Sequence, residues 1–165
     1  VSGPVRAALE NVALPYLPAP TRHQLSERLA SSSKPDREYA QVLLEILDRD
    51  GRLPATYAYP VQVLQFGHDL TLVALASETV VDFSHRLKRE LPGPAVWVAG
   101  YSNDFMGYIP SRRIWVEGGY EGGGSLTYYG STLWRVVHPN KWGPSVEELI
   151  VGKVHALARR VSADR

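Results

Sequence analysis

The chain contains no cysteine and a single methionine. No apolar run approaches the eighteen or so residues a membrane-spanning helix needs. Without thiols, disulfides and every thiolate metal site are excluded, and His, Asp, Glu and Tyr remain as possible metal ligands. Charge of one sign is lacking as well: 18 basic and 17 acidic residues give a formal net charge of +1. A balance of that kind offers no electrostatic case for nucleic acid or an anionic membrane surface, and no nucleic-acid partner is expected. The phosphate-cradle pattern G-x-x-x-x-G-K-[ST] is absent, and the glycines at 118, 119, 122, 123 and 124 never satisfy G-x-G-x-x-G after a strand. The opening "VSGPVRAALE" has neither an initiator Met nor a basic-then-apolar signal pattern, and it reads as the interior of something longer.

What is present suits one hydrophobic core: 165 residues, 44% of them apolar, predict a single α/β unit spanning residues 1–165. Residues 1–20, punctuated by "LPYLPAP", read as an extended lead-in lying on a surface. A helix pair follows over 21–51. Thr21 and Gln24 form a capping-box pattern, and Tyr39, Val42, Leu43, Ile46 and Leu47 share one face of the second helix until Gly51 stops it. From 59 to 165 the pattern predicts a sheet, site loops and a C-terminal helix, the last opened by a second capping box at Ser145 and Glu148. "YPVQVLQF" and "LTLVALA", separated by Gly67-His68-Asp69, read as adjacent strands, the second continuously apolar as a central strand would be. Val80, Phe83, Leu87 and Leu91 recur at helical spacing, with Asp82, Arg86, Lys88, Arg89 and Glu90 mainly toward water, before "AVWVAG" resumes as strand. Strand, helix and strand in about thirty residues form a βαβ unit with parallel strands. The expected class is therefore α/β, a mixed sheet with a βαβ unit and flanking helices, as part of a larger catalytic domain.

That topology brings the ends of two strands together at the carboxyl edge of the sheet, where open α/β sheets bind ligands. One carries "ASET", with Glu78. The other runs into "AGYSNDFMGYIPSRR", residues 99–113, which holds Tyr108 among an Asn-Asp pair and two arginines. Each residue has an ordinary reading: a carboxylate near a helix N-terminus meets exposed N–H groups, and a tyrosine at a core rim keeps its hydroxyl wet. "EGGYEGGGS", residues 117–125, has far more glycine than one turn requires, so its backbone either approaches something closely or repeats positive φ. A flexible loop is the plain alternative.

The order of these pieces resembles the neutral (non-lysosomal) ceramidases. That family has a Glu after a strand, an Arg-rich helix ("ETVVDFSHRLKREL" here), a strand into "AGYSN", a Tyr five residues after that Asn, "YEGGGS" twelve residues beyond the Tyr, and then "YYG". All six occur here in order, over roughly residues 60–130. The resemblance implies a zinc amidohydrolase in which two His, one Glu and one Tyr hold the metal and a zinc-bound water attacks the amide of an N-acyl sphingosine or related amide substrate. Carried over, Glu78 matches the zinc-ligand Glu, Tyr108 the zinc-ligand Tyr, and Tyr120 a further active-site tyrosine near the substrate amide, expected to be catalytic. Asn103, Arg112 and Arg113 are candidate substrate contacts. Where the family often has Pro-Gly before the Glu, this chain has Ala76-Ser77, and Phe105 replaces a Tyr. Carboxylate and phenolate are oxygen donors that zinc accepts, and a cation favours the ionised form of a phenol.

The family's two zinc histidines lie upstream, and nothing in residues 1–60 resembles them. The expected partner is thus the upstream half of the same domain, with zinc bound only when both halves are present and the 165-residue chain alone inactive. The family suggests a secreted, periplasmic or membrane-associated protein, while the sequence itself leaves the compartment open. Of the local histidines, His23 reads as a capping neighbour, His68 lies at the wrong end of its strand, and His85 and His155 read as structural or solvated. His138, in "VVHPNKWG", stays open as a local ligand. Arg112 and Arg113 either orient a head group or pair with carboxylates such as Glu117 and Glu121. Trp115, Tyr128, Tyr129, Trp134 and Trp142 either line an acyl-chain groove or form a core. Two other classes stay open: a metal-free interaction module on the same fold, and an unrelated α/β domain whose glycine loop binds a nucleotide or phosphate.

Overall fold

The computed structural model describes residues 2–126 and 138–163. Tyr128, Tyr129 and Trp134, and with them the "YYG" segment, lie outside the described residues. The rest is a mixed α/β structure: a four-stranded sheet in the order β1-β2-β3-β5, a two-stranded pair β4-β6, and flanking helices.

The lead-in is regular strand. β1 (Val5–Pro15) pairs antiparallel with β2 (Thr56–Phe66) along its whole length and ends at Pro15, whose ring cannot donate to a ladder. β1 is an edge strand, so the prolines that follow it disturb no second neighbour. β2 turns through Gly67-His68-Asp69 into β3 (Leu70–Leu75), again antiparallel. From β3 the chain runs through β4 (Glu78–Thr79) and α3 (Val81–Glu90) to β5 (Val96–Ala99), which lies parallel to β3. This is the βαβ unit that the alternation of periods predicts.

The core lies between this sheet and two helices. α3 contributes Phe83, Leu87 and Leu91, and the C-terminal helix α5 (Val146–Ala163) contributes Val146, Ile150, Val154, Leu157 and Val161, against Tyr59, Val61, Val63, Val73 and Leu75 of the sheet. Two details differ from the helix patterns. Arg86 does not face water: its guanidinium bonds Glu90, Glu147 and Glu148 and so clamps α3 to α5. Glu148, expected to cap this helix with Ser145, directs both carboxylate oxygens at Arg86. The helix pair α1 (Arg22–Arg28) and α2 (Lys34–Asp50) keeps its expected signals, with a Thr21–Gln24 capping box and Gly51 in the left-handed region at φ 72°. It has its own small core of Leu25, Tyr39, Ala40 and Leu43.

One buried residue joins these units to the carboxyl edge. His138 is 1% exposed, and its Nε2–H donates to the Met106 carbonyl at 2.6 Å. A carbonyl can only accept, so Nδ1 is the acceptor, and it takes the Tyr16 hydroxyl proton at 3.0 Å. Tyr39 of α2 donates to the His138 and Pro139 carbonyls, and the Trp142 indole stacks on Tyr16 at 4.7 Å. Burial pushes the His138 pKa down to about 4 from its ordinary value of 6.5. The unfolded chain thus binds a proton that the folded chain refuses between about pH 6.5 and pH 4. This contribution to stability is full above that window and is lost as pH falls through it, on the order of 3 kcal/mol in total. His138→Phe should flatten the stability–pH slope in that window in denaturant titrations. An unchanged slope would mean that another group carries it.

Candidate active site

Two loops meet beyond the carboxyl ends of β3 and β5, and the contacts between them are backbone bonds. Tyr101 N–H donates to the Ser77 carbonyl at 2.8 Å, Ser102 N–H to Leu75 at 3.0 Å, Ser77 N–H to Asp104 at 2.8 Å and Glu78 N–H to Gly107 at 3.0 Å. Ser77 is fully buried at the centre of this knot, and its Oγ accepts the buried Met106 N–H at 2.9 Å. Three non-glycine residues here have positive φ: Ser77 at 62°, Tyr101 at 54° and Asn103 at 67°. That conformation costs an L-residue roughly 1 kcal/mol or more, and the surrounding bonds hold it in place. The position where the family resemblance expects glycine is one that glycine would occupy freely. Serine occupies it by adding a hydrogen bond.

The knot sets β4 beside β6 (Tyr108–Ile109) as a short parallel pair, with Glu78 directly opposite Tyr108 and Thr79 opposite Ile109. Ile109 is fully buried in the main core. Consecutive strand residues point to opposite faces, so Tyr108 and Glu78 share the face turned away from that core, on strands about 4.8 Å apart. The Tyr108 carbonyl accepts the Trp142 indole N–H at 2.9 Å, which fixes the strand from the core side.

Tyr120 arrives from the glycine segment. α4 (Arg112–Glu117) ends at Gly118, and the chain makes one wide turn over Tyr120–Gly124 in which Gly124 N–H reaches the Gly119 carbonyl and Ser125 N–H the Tyr120 carbonyl, each at 2.9 Å. Turns of this i→i+5 type are uncommon and cluster at functional sites. Gly122 lies so close to α4 that a Cβ would meet the Ile114 carbonyl oxygen at 2.7 Å. The segment is a shaped turn, and its glycines serve close approach. It sets the Tyr120 ring edge-on to Tyr108, centroids 5.5 Å apart.

The structure therefore brings Glu78, Tyr108 and Tyr120 together. Asn103 sits on the same rim, its side-chain amide donating to Gln62 of β2 at 3.1 Å. The arginines are engaged elsewhere. Arg113 bonds Asp82 through Nε and Nη2 and Glu117 through Nη1, fastening α4 to α3. The Arg113 guanidinium, and after it the Ser111 hydroxyl, hold the Asp82 carboxyl below the usual carboxylate range. Arg112 lies over the Trp115 ring at 4.6 Å. Trp142 is core, and the Trp115 indole N–H donates to its carbonyl. Both ring nitrogens of His138 are occupied, which removes it as a local ligand. His155 pairs with Glu90. Among the described residues, no three His, Cys, Asp or Glu side chains gather as a metal cluster. A carboxylate and a phenol side by side nevertheless suit zinc as two of its oxygen donors. Ser77 and His138, which fix these donors without joining them, escape a reading by residue type. The one signal for Ser77 is its place immediately before the Glu.

No family model and no curated protein matches the sequence. Among solved structures the fold is shared with a ceramidase complexed with C2, at 15% identity and a TM-score of 0.54, and with the neutral ceramidase from Pseudomonas aeruginosa, at 20% identity and a TM-score of 0.51. Each match covers 98% of this chain but only 30% and 29% of those chains. The chain thus has a ceramidase-like fold and spans less than a third of the length of the structures it matches.

Two expectations follow from this geometry. Ser77→Ala keeps the unfavourable φ and leaves the Met106 N–H unsatisfied, at a cost of about 1–3 kcal/mol. Ser77→Gly loses the same bond but relieves the backbone, so it should be the more stable variant in urea melts; the reverse order would remove strain from the account. In calorimetry, residues 1–165 alone should show no sub-micromolar zinc site, because two oxygen donors do not close a four-coordinate shell. Stoichiometric tight binding would mean that the ligands lie elsewhere.

Proposed function

We propose that this chain forms part of a zinc-dependent amidohydrolase site acting on an N-acyl sphingosine or a related amide. The observation that carries the reading is the pairing of Glu78 with Tyr108 on one face of β4-β6, with the Tyr120 ring against Tyr108. The shared ceramidase fold supports it. Glu78 and Tyr108 would hold the metal, completed by ligands from outside these residues. When bound, zinc supplies Lewis acidity toward the amide carbonyl and a nucleophile from water at neutral pH. The chain's own groups position the rest. The Tyr120 hydroxyl, on a half-exposed side chain at the rim, would donate a hydrogen bond to the substrate amide. Asn103 offers a polar edge beside it. Arg112, stacked over the Trp115 ring at the start of α4, and Arg113, committed to Asp82 and Glu117, act on the site by holding α4.

A second reading, a non-catalytic interaction module with the same fold, draws on the lack of a three-residue metal cluster among the described residues. The two readings separate in the complete protein. Glu78→Ala should lower zinc content and amide hydrolysis together. Tyr120→Phe keeps the ring and should lower turnover by roughly 10²-fold with zinc retained, the scale of one positioned donor. Elemental analysis beside hydrolysis rates decides the matter: a zinc-free, inactive complete protein supports the module, and a fully active Tyr120→Phe makes Tyr120 a structural loop residue.

A further inference from the structure

At the amino ends of β3 and β5, opposite the candidate site, the core between sheet and helices is not closely filled. A cavity of about 230 Å³ lies there between the β2–β3 turn, the α3–β5 connection and the last turns of α5. Leu91, Pro92, Ala158 and Val161 give it apolar walls, and Leu91 and Val161 are themselves buried. Gaps in packed interiors seldom exceed a water molecule, whereas an apolar cavity of about 150 Å³ already takes up benzene. This end of the fold therefore has room for a bicyclic ring.

The polar groups of the lining narrow the choice of ligand. Gln65 shares the core side of β2 with Val61 and Val63, lines the cavity, and has its Oε1 buried with no hydrogen-bond partner among the described residues. A buried acceptor in that condition is rare in folded proteins. The terminal torsion of a glutamine is broad, so a turn of the amide presents this oxygen to a ligand that carries an N–H or O–H group. α3 and α5 both end beside the cavity, and the carbonyls of helix C-termini suit a donor in the same way. The rim has the opposite preference. Arg159, exposed on α5, and His68, in the β2–β3 turn, form no ion pair with a described residue. The described lining holds no Asp or Glu, and Glu90, at the end of α3, is engaged by Arg86 and His155. We propose that this cavity is a ligand site for a small apolar carboxylate with one hydrogen-bond donor on its body, the carboxylate held by Arg159 beside His68 and the donor by Gln65. A guanidinium takes a carboxylate through two parallel bonds, and an apolar body shields that pair from water. The site does not depend on the zinc reading. Glu78 and Tyr108 lie beyond the other ends of β3 and β5, so its ligand is not the amide substrate.

Three probes of similar size separate the parts of this recognition by calorimetry on the complete protein that carries the chain. Indole-3-acetate has the ring, the N–H and the carboxylate; naphthalene-1-acetate lacks the N–H, and indole-3-ethanol lacks the carboxylate. Indole-3-acetate should bind one to one and each of the others roughly tenfold more weakly, the scale of one lost hydrogen bond or ion pair. Arg159→Gln should abolish the preference over indole-3-ethanol and keep the preference over naphthalene-1-acetate. Gln65→Leu should do the reverse. Ala158→Trp fills the cavity and should abolish binding of all three. If that variant does not fold, the other two still decide. The proposal is overturned if none of the probes binds, if all three bind alike, as to a plain apolar gap, or if binding survives Ala158→Trp in a folded protein. Preferences that persist in both Arg159→Gln and Gln65→Leu would place indole-3-acetate elsewhere and overturn it equally.

Discussion

The carboxyl edge of the sheet is organised around the backbone of Ser77. Its N–H, its carbonyl and its hydroxyl each bond to the 101–106 loop, and its positive φ swings the chain out of β3 so that Glu78 can begin a second, separate pair. Without that reversal β3 would simply continue, and Glu78 would not face Tyr108. The strain in the left-handed conformation is local. It is offset by bonds that are possible only because two loops, each from the end of a different parallel strand, arrive at the same place.

Around that knot the structure spends its buried polar groups on positioning. The imidazole of His138 holds the Met106 carbonyl, the indole of Trp142 holds the Tyr108 carbonyl, and Tyr16 and Tyr39 hold His138 in turn. The glycines after α4 do similar work through close packing, since only a residue without a Cβ lets the turn lie against Ile114 and carry Tyr120 to Tyr108. None of these groups offers a free ligand or nucleophile. They make the backbone rigid where Glu78 and Tyr108 lie side by side.

The asymmetry of the sheet has the same logic at larger scale. One face is covered by α3 and α5, with the Arg86 clamp between them, and the other is apolar and bare.

The sequence determined the elements through periodicity and punctuation: the helix spacing of Val80, Phe83, Leu87 and Leu91, the Thr21–Gln24 cap, Gly51 as a stop, and the change to strand at "YPVQVLQF". It also determined that Glu78 and Tyr108 lie near one another, because a βαβ unit returns both strand ends to one edge. Local patterns encode these features because they depend on neighbours a few residues apart. The edge-strand pairing of residues 5–15, the inward role of Arg86, the engagement of Arg113 with Asp82 and the consumption of His138 were decided by tertiary structure. Each depends on partners tens of residues away, which no window of the sequence contains. For an ionisable side chain, residue type states what it can bond, and only the packed fold decides which of those bonds is already made.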